Sequence, residues 1–189
     1  MKMRILLALS LLCPPLVAHA FDVANYQVID LSHSYGEKTL YWPTSPSAFQ
    51  KQELANGVTD EGYFYSAYAV CTPEHGGTHI DAPAHVVPGT AFMDEVPLPY
   101  FFGSGVILDI PKQKWEMVTA DDLESATPQV REGDIVIVNT GWHKYYGDNQ
   151  HYYGYAPGFG REAGEWFVEK KVKMAGNDTQ ALDHPLATA

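Results

Sequence analysis

Three histidines and a carboxylate crowd into one short stretch, His75-Gly76-Gly77-Thr78-His79-Ile80-Asp81-Ala82-Pro83-Ala84-His85. Imidazole suits zinc, manganese and iron, and a carboxylate beside it keeps a site hard enough for ions that activate water. The stretch points to a metalloenzyme, with His75, His79 and Asp81 as candidate ligands. His-x-x-x-His on a helix would bring both rings to one face, but Gly76, Gly77 and Pro83 oppose a regular helix. The ligands are therefore expected on extended or looped chain. There His75, His79, Asp81 and His85 share one parity, so one face can carry all four. A straight strand rising roughly 3.3 Å per residue would hold His75 and His79 about 13 Å apart, too far for one ion. The chain must bend, and Gly76-Gly77 supplies the bend, while Asp81 follows His79 closely enough to enter the same site.

The flanking pattern predicts the elements that carry this stretch. Tyr63 to Val70 is rich in aromatics and reads as a strand leading into the histidines, with Cys71 half-buried at its end. Tyr26 to Leu31 reads as a second strand. Gly105 to Ile110 and Asp134 to Val138 are nearly continuous apolar runs, which favour strands buried on both faces. Thr119 ahead of Asp121 and Asp122 is a capped helix start, and Glu162 to Val172 suits a helix with one side buried. Strands alternating with helices give the class α/β.

Met1 to Ala20 has two basic residues, an apolar run from Ile5 to Val17 and Ala18-His19-Ala20 at its end, which reads as a secretory signal peptide cleaved after Ala20. Leu12 stands where a lipoprotein site at Cys13 would need a small residue. Residues 21–189 are then expected to form one soluble, exported domain, in a bacterial periplasm. Loss of Lys2 and Arg4 with the leader makes the formal net charge of −11 more negative still, a poor match for nucleic acid or an anionic membrane. Cys71 would be the one cysteine left, so no intramolecular disulfide is expected.

The stretch from His75 to His85 resembles the H-x-G-T-H-x-D-x-P-x-H signature of the cyclase-like metal-dependent hydrolases, a family that includes bacterial kynurenine formamidase and isatin hydrolase, and it meets every fixed position. Ile29-Asp30-Leu31-Ser32-His33 with Trp42-Pro43, Gly133 to Trp142, and Gly176-Asn177-Asp178-Thr179 with Leu182-Asp183-His184-Pro185 resemble other family segments. The resemblance implies a swivelling β/α/β domain with mixed sheets, assembled as a homo-oligomer and taking a small-molecule substrate. It also implies that His85 is the acid/base group. Family members continue well past the Asp178 segment, so the domain is expected to be incomplete at its C-terminus, and His184 is not promoted to a missing ligand. One zinc or manganese ion is expected, with a second position open in a longer form.

The resulting expectation is hydrolysis of an amide, formamide or cyclic imide C–N bond in a small, aromatic substrate, by water that the metal activates. A cyclase or dehydratase using the same ion, or an inactive truncated remnant, are the alternatives. Trp42, Phe64 and Tyr65 are candidates for an aromatic wall around the substrate. Tyr145, Tyr146, Tyr152, Tyr153 and Tyr155 suit a lid, a subunit contact or a packed loop; His143 and His151 beside them are expected to face solvent, and His33 receives no catalytic role.

Overall fold

The computed structural model describes residues 23–186, so the expected leader lies outside the described residues. The chain divides into two compact units, Met1–Leu31 and Ser32–Ala189. In the first, a 3-10 turn at Val23–Asn25 precedes Tyr26 to Leu31, which is not a strand. Val28, Ile29 and Leu31 are largely exposed. Strand-forming side chains make a strand only when a neighbouring strand takes up their backbone groups, and the described sheets contain no such pairing for this segment.

Among the described residues the second unit has three small sheets. β1 (Gln50–Val58) and β2 (Phe64–Cys71) form an antiparallel hairpin, with a bulge between Glu53 and Ala55. β3 (Gly105–Asp109), β5 (Ile135–Asn139) and β7 (Met174–Asn177) form a parallel sheet in the order β3-β5-β7, and β4 (Met117–Val118) pairs in parallel with β6 (Gly158–Phe159). The helices are α1 (Ala120–Ser125), α2 (Asn149–Gly154) and α3 (Arg161–Glu169). The α/β class thus holds, with several sheets, one antiparallel and two parallel.

The main core lies on one face of the parallel sheet. Leu108, Val136 and Val138 are wholly buried and share a cluster with Leu123 of α1 and Ala163, Trp166 and Phe167 of α3. Ile135 and Ile137 are only partly buried and Ile107 is half exposed, so burial on both faces, expected from the apolar runs, is not found. Helices cover one side of this sheet, and the alternate side chains stay open. α3 stops at Glu169 rather than Val172, because Lys171 adopts a left-handed backbone and returns the chain towards β7. Cys71, expected to be half-buried, is exposed, as is nearly all of β2.

α1 begins as its sequence suggests. Thr119 Oγ1 accepts from the backbone N–H of Asp122, and the Asp122 carboxylate accepts from Thr119 N–H, Thr119 Oγ1 and Lys112 Nζ. Burial pushes the Asp122 carboxyl up, but these donors outweigh it and leave its pKa below the ordinary carboxylate value. Thr119→Ala removes the cap and is expected to cost about 1 kcal/mol, read as a lower urea midpoint with an unchanged slope.

Candidate metal centre

β2 ends at Cys71, and the next residue anchors the turn into the histidines. Thr72 Oγ1 meets the hydroxyls of Tyr35 at 2.7 Å and Tyr41 at 2.6 Å. Tyr41 also forms an antiparallel bridge with Gly76, whose missing side chain leaves room for the Tyr41 ring; a Cβ there would overlap it. Gly77 takes φ +61 and donates its N–H to Leu40 O. The two glycines therefore have separate tasks: Gly77 turns the chain and Gly76 admits an aromatic ring. His33 N–H donates to Thr78 Oγ1 at 3.0 Å, holding the middle of the segment.

Beyond the bend the side chains converge. His75 Nδ1 lies 2.6 Å from Asp81 Oδ1, and His79 Nε2 lies 3.2 Å from the same oxygen. One ligand atom from each of His75, His79 and Asp81 falls within a 4.8 Å span, and among the described residues this is the one such group of three or more. His85 ends a 3-10 turn that opens with Pro83, and its ring lies 3.8 Å from that of His75. All four residues that share parity thus meet.

The tautomers argue for a cation. His79 Nδ1 lies 2.9 Å from Gly77 O, and a carbonyl can only accept, so Nδ1 carries hydrogen. In the neutral ring Nε2 is then a lone pair facing a carboxylate oxygen. A proton or a metal ion between them makes that approach favourable. Two ligands on a tetrahedral ion at about 2.0–2.1 Å stand about 3.3 Å apart, close to the 3.2 Å between His79 Nε2 and Asp81 Oδ1, whereas the 2.6 Å between His75 Nδ1 and Asp81 Oδ1 is that of a hydrogen bond. A backbone carbonyl that fixes a ring in this way is also the usual outer support of a metal-binding histidine.

The centre is open. The side chains of His75, His79 and Asp81 are 39%, 28% and 49% exposed. Trp42 and Tyr65 line separate hollows, neither of which has His75, His79 or Asp81 in its lining. Trp42 packs edge-on against Tyr153 and lines a hollow of about 470 Å³ with Pro43, Asn149, Gln150 and Gly154. Tyr65 lines a different hollow, along β1, and Phe64 stands exposed on β2.

A second polar cluster escaped the sequence reading. Asp178, just past β7, accepts from Thr140 N–H at 2.9 Å, Thr140 Oγ1 at 2.6 Å, His143 N–H at 3.1 Å and the His143 ring at 3.0 Å. Burial raises the Asp178 carboxyl, and these donors outweigh it, so its pKa lies below the ordinary range. His143 is half exposed but tied to this carboxylate rather than simply solvated. The His33 ring stacks on Tyr146 at 3.6 Å; burial, and then the charge of His143, lower its pKa. Thr140 and Asp178 end adjacent parallel strands, a relation visible only once β5 and β7 are known to pair. The tyrosines form a packed cluster: Tyr152, Trp142 and Ala156 are buried, with Tyr146, Tyr153, Tyr155 and Leu40 against them. His151 stacks on Tyr145 in the same group. His184 is buried, with Nε2 donating to Trp115 O, a structural role.

A family model described as "Putative cyclase" matches residues 29–184. The chain belongs to the Cyclase family. An uncharacterised protein of Haemophilus influenzae is 29% identical over 114 residues, covering 59% of this chain and 80% of its own length. The isatin hydrolase of Roseibium aggregatum is 26% identical over 140 residues, which are 65% of this chain and 53% of that enzyme, so the chain spans about half of it. An isatin hydrolase crystallised with the product analogue thioisatinate has the same fold, with a TM-score of 0.73 over 85% of this chain and 70% of that one, at 22% identity.

Proposed function

We propose that this Cyclase-family chain is a metal-dependent hydrolase that cleaves a C–N amide, formamide or cyclic imide bond in a small aromatic substrate. The observation that carries the reading is the convergence of His75, His79 and Asp81 on one point with His85 beside them. Isatin hydrolase among the relatives supports the bond type.

His75, His79 and Asp81 would hold one zinc or manganese ion, which when bound supplies Lewis-acid polarisation of a carbonyl and acidifies water. Gly77 O keeps His79 in the tautomer that leaves Nε2 available. Asp81 Oδ1 stands between the two imidazoles and sets their mutual orientation. His85, outside the ligand set, takes the proton from attacking water as the C–O bond forms, and returns it to the nitrogen as the C–N bond breaks. Its exposed position at the end of a 3-10 turn keeps the ring accessible to both atoms. Trp42, Phe64 and Tyr65 are proposed to contact the aromatic body of the substrate. Export to the periplasm after loss of residues 1–20, and self-association, belong to the same proposal.

Turnover of a formylated aromatic amine, isatin and a cyclic imide in ¹⁸O-labelled water tests the reaction class. One solvent oxygen is expected in the acid product, and its absence would exclude hydrolysis. His85→Ala is expected to lower turnover by about 10²–10⁴-fold while metal content is retained. Unchanged turnover would remove His85 from the mechanism.

A further inference from the structure

The Gly77-Thr78 turn carries the carbonyl that fixes His79, and it is itself gripped by chain distant in sequence. Gly77 N–H donates to Leu40 O at 3.1 Å, and Leu40 N–H donates in turn to the Tyr146 hydroxyl at 3.3 Å. Beside it Thr78 Oγ1 accepts from His33 N–H, and the His33 ring lies flat on the Tyr146 ring, 3.6 Å away and 5° from parallel. One side chain thus meets both segments that grip the turn: its hydroxyl takes Leu40 and its face takes His33. The neighbouring tyrosines are engaged elsewhere. Tyr145 stacks on His151, and Tyr155 packs against Trp115.

Tyr146 is held firmly enough to serve as a point of reference. It follows the 3-10 turn Trp142–Tyr145 and closes it by donating its N–H to His143 O. Asp178 anchors the same turn from the end of β7, through the N–H and the ring of His143. The buried Tyr152 ring meets that of Tyr146 edge-on at 5.5 Å, and the Tyr152 hydroxyl donates to Asp178 O. Packing on the ring and hydrogen bonds on the backbone therefore fix where the Tyr146 hydroxyl stands before Leu40 reaches it, which is how a supporting shell holds a site in place.

We infer that Tyr146 is a positioning residue for the metal centre: through Leu40 and His33 it sets the Gly77-Thr78 turn, and through Gly77 O the tautomer and direction of His79. Its meaning for an ion rests on the proposed function; the geometry does not. Three hydrogen bonds in series join the Tyr146 hydroxyl to the His79 ring, passing through Leu40 and Gly77. Gly77, at φ +61, is the soft link, because glycine has wide backbone freedom and its carbonyl points where its neighbours hold it. A carbonyl released from that direction frees His79 to carry its hydrogen on Nε2, and a protonated Nε2 has no lone pair for an ion. Outer supports of a ligating histidine are worth roughly 10–100-fold in metal affinity. Tyr146 stands two hydrogen bonds beyond Gly77 O, so the lower end of that range is expected.

Two readouts on the full chain test this, zinc affinity by competition with a chelating dye and the His79 tautomer by ¹H–¹⁵N imidazole spectra of the zinc-free chain. Tyr146→Phe keeps the stacked ring and removes the acceptor of Leu40 N–H, and is expected to bind zinc about 10-fold more weakly. Tyr152→Phe removes another hydroxyl from the same packed cluster, the donor to Asp178 O, and is expected to keep the wild-type affinity. The spectra are recorded at about pH 9, well above the ordinary imidazole pKa of about 6.5. His79 is expected as the Nδ1–H form in the wild type and in Tyr152→Phe, and as a mixture with the Nε2–H form in Tyr146→Phe. A wild-type tautomer in Tyr146→Phe would overturn the inference. So would an equal loss of zinc affinity in both variants, which a general loosening of the cluster would produce. A wild type that binds no zinc would remove the metal centre from the proposed function, and the tautomer comparison would still decide whether Tyr146 positions His79.

Discussion

His79→Ala is expected to abolish tight metal binding and, with it, turnover. His79 contributes Nε2 to the three-atom group and is the ring whose tautomer the backbone fixes. Losing an outer support of a ligand costs roughly 10–100-fold in affinity, and losing a ligand itself should exceed that range. His75 and Asp81 would remain as a pair already satisfied by their own 2.6 Å hydrogen bond, with little reason to open for an ion. Competition with a chelating dye measures the affinity directly. Thermal unfolding gives an independent readout, because an ion at about 100 times its dissociation constant stabilises the folded chain by about 2.7 kcal/mol. That increment should appear in the wild type and in His85→Ala and vanish in His79→Ala. Equal metal affinity in His79→Ala and the wild type would mean that the convergence of these side chains is not a metal centre.

The positions that could be read ahead of the structure owe their pattern to local chemistry. The shared parity of His75, His79, Asp81 and His85, and the need for a bend between the first two, follow from backbone geometry alone, and Gly77 has the left-handed conformation that makes the bend. What parity did not reveal is that Gly76 serves the Tyr41 ring instead, because that contact comes from distant chain. Thr119 capped its helix as its side chain dictates. By contrast β1 reads Gln50-Lys51-Gln52-Glu53-Leu54, a sequence with little strand character, and it becomes a strand by pairing with β2. Tyr26 to Leu31 shows the reverse case, with strand-like side chains that join no sheet among the described residues. Asp178 lay hidden for a related reason. Its donors sit some 35–38 residues earlier, and only the parallel register of β5 and β7 brings them together.

That partly buried carboxylate carries the largest expected effect on stability. Asp178 is 13% exposed and satisfies four donors from Thr140 and His143, tying the end of β5 and the turn after it to the end of β7. Asp178→Ala leaves the nearly buried Thr140 N–H and hydroxyl without an acceptor, and each unsatisfied group costs about 1–3 kcal/mol, so a total of about 3 kcal/mol is expected. Asp178→Asn keeps the shape but turns an amide NH₂ towards donors, and should recover only part of this. Acid has a defined sign. The folded carboxyl titrates below its unfolded value of about 3.9, so its ionisation stabilises the fold fully above that pH, and this contribution is lost as pH falls through the lower folded value. The gap between wild type and Asp178→Asn, measured by urea unfolding, should therefore be widest near neutral pH and narrow below about pH 4. A gap that stays constant with pH would assign the carboxylate no ionic role, and an Asp178→Ala loss below about 0.5 kcal/mol would mean that the strand ends hold together without it.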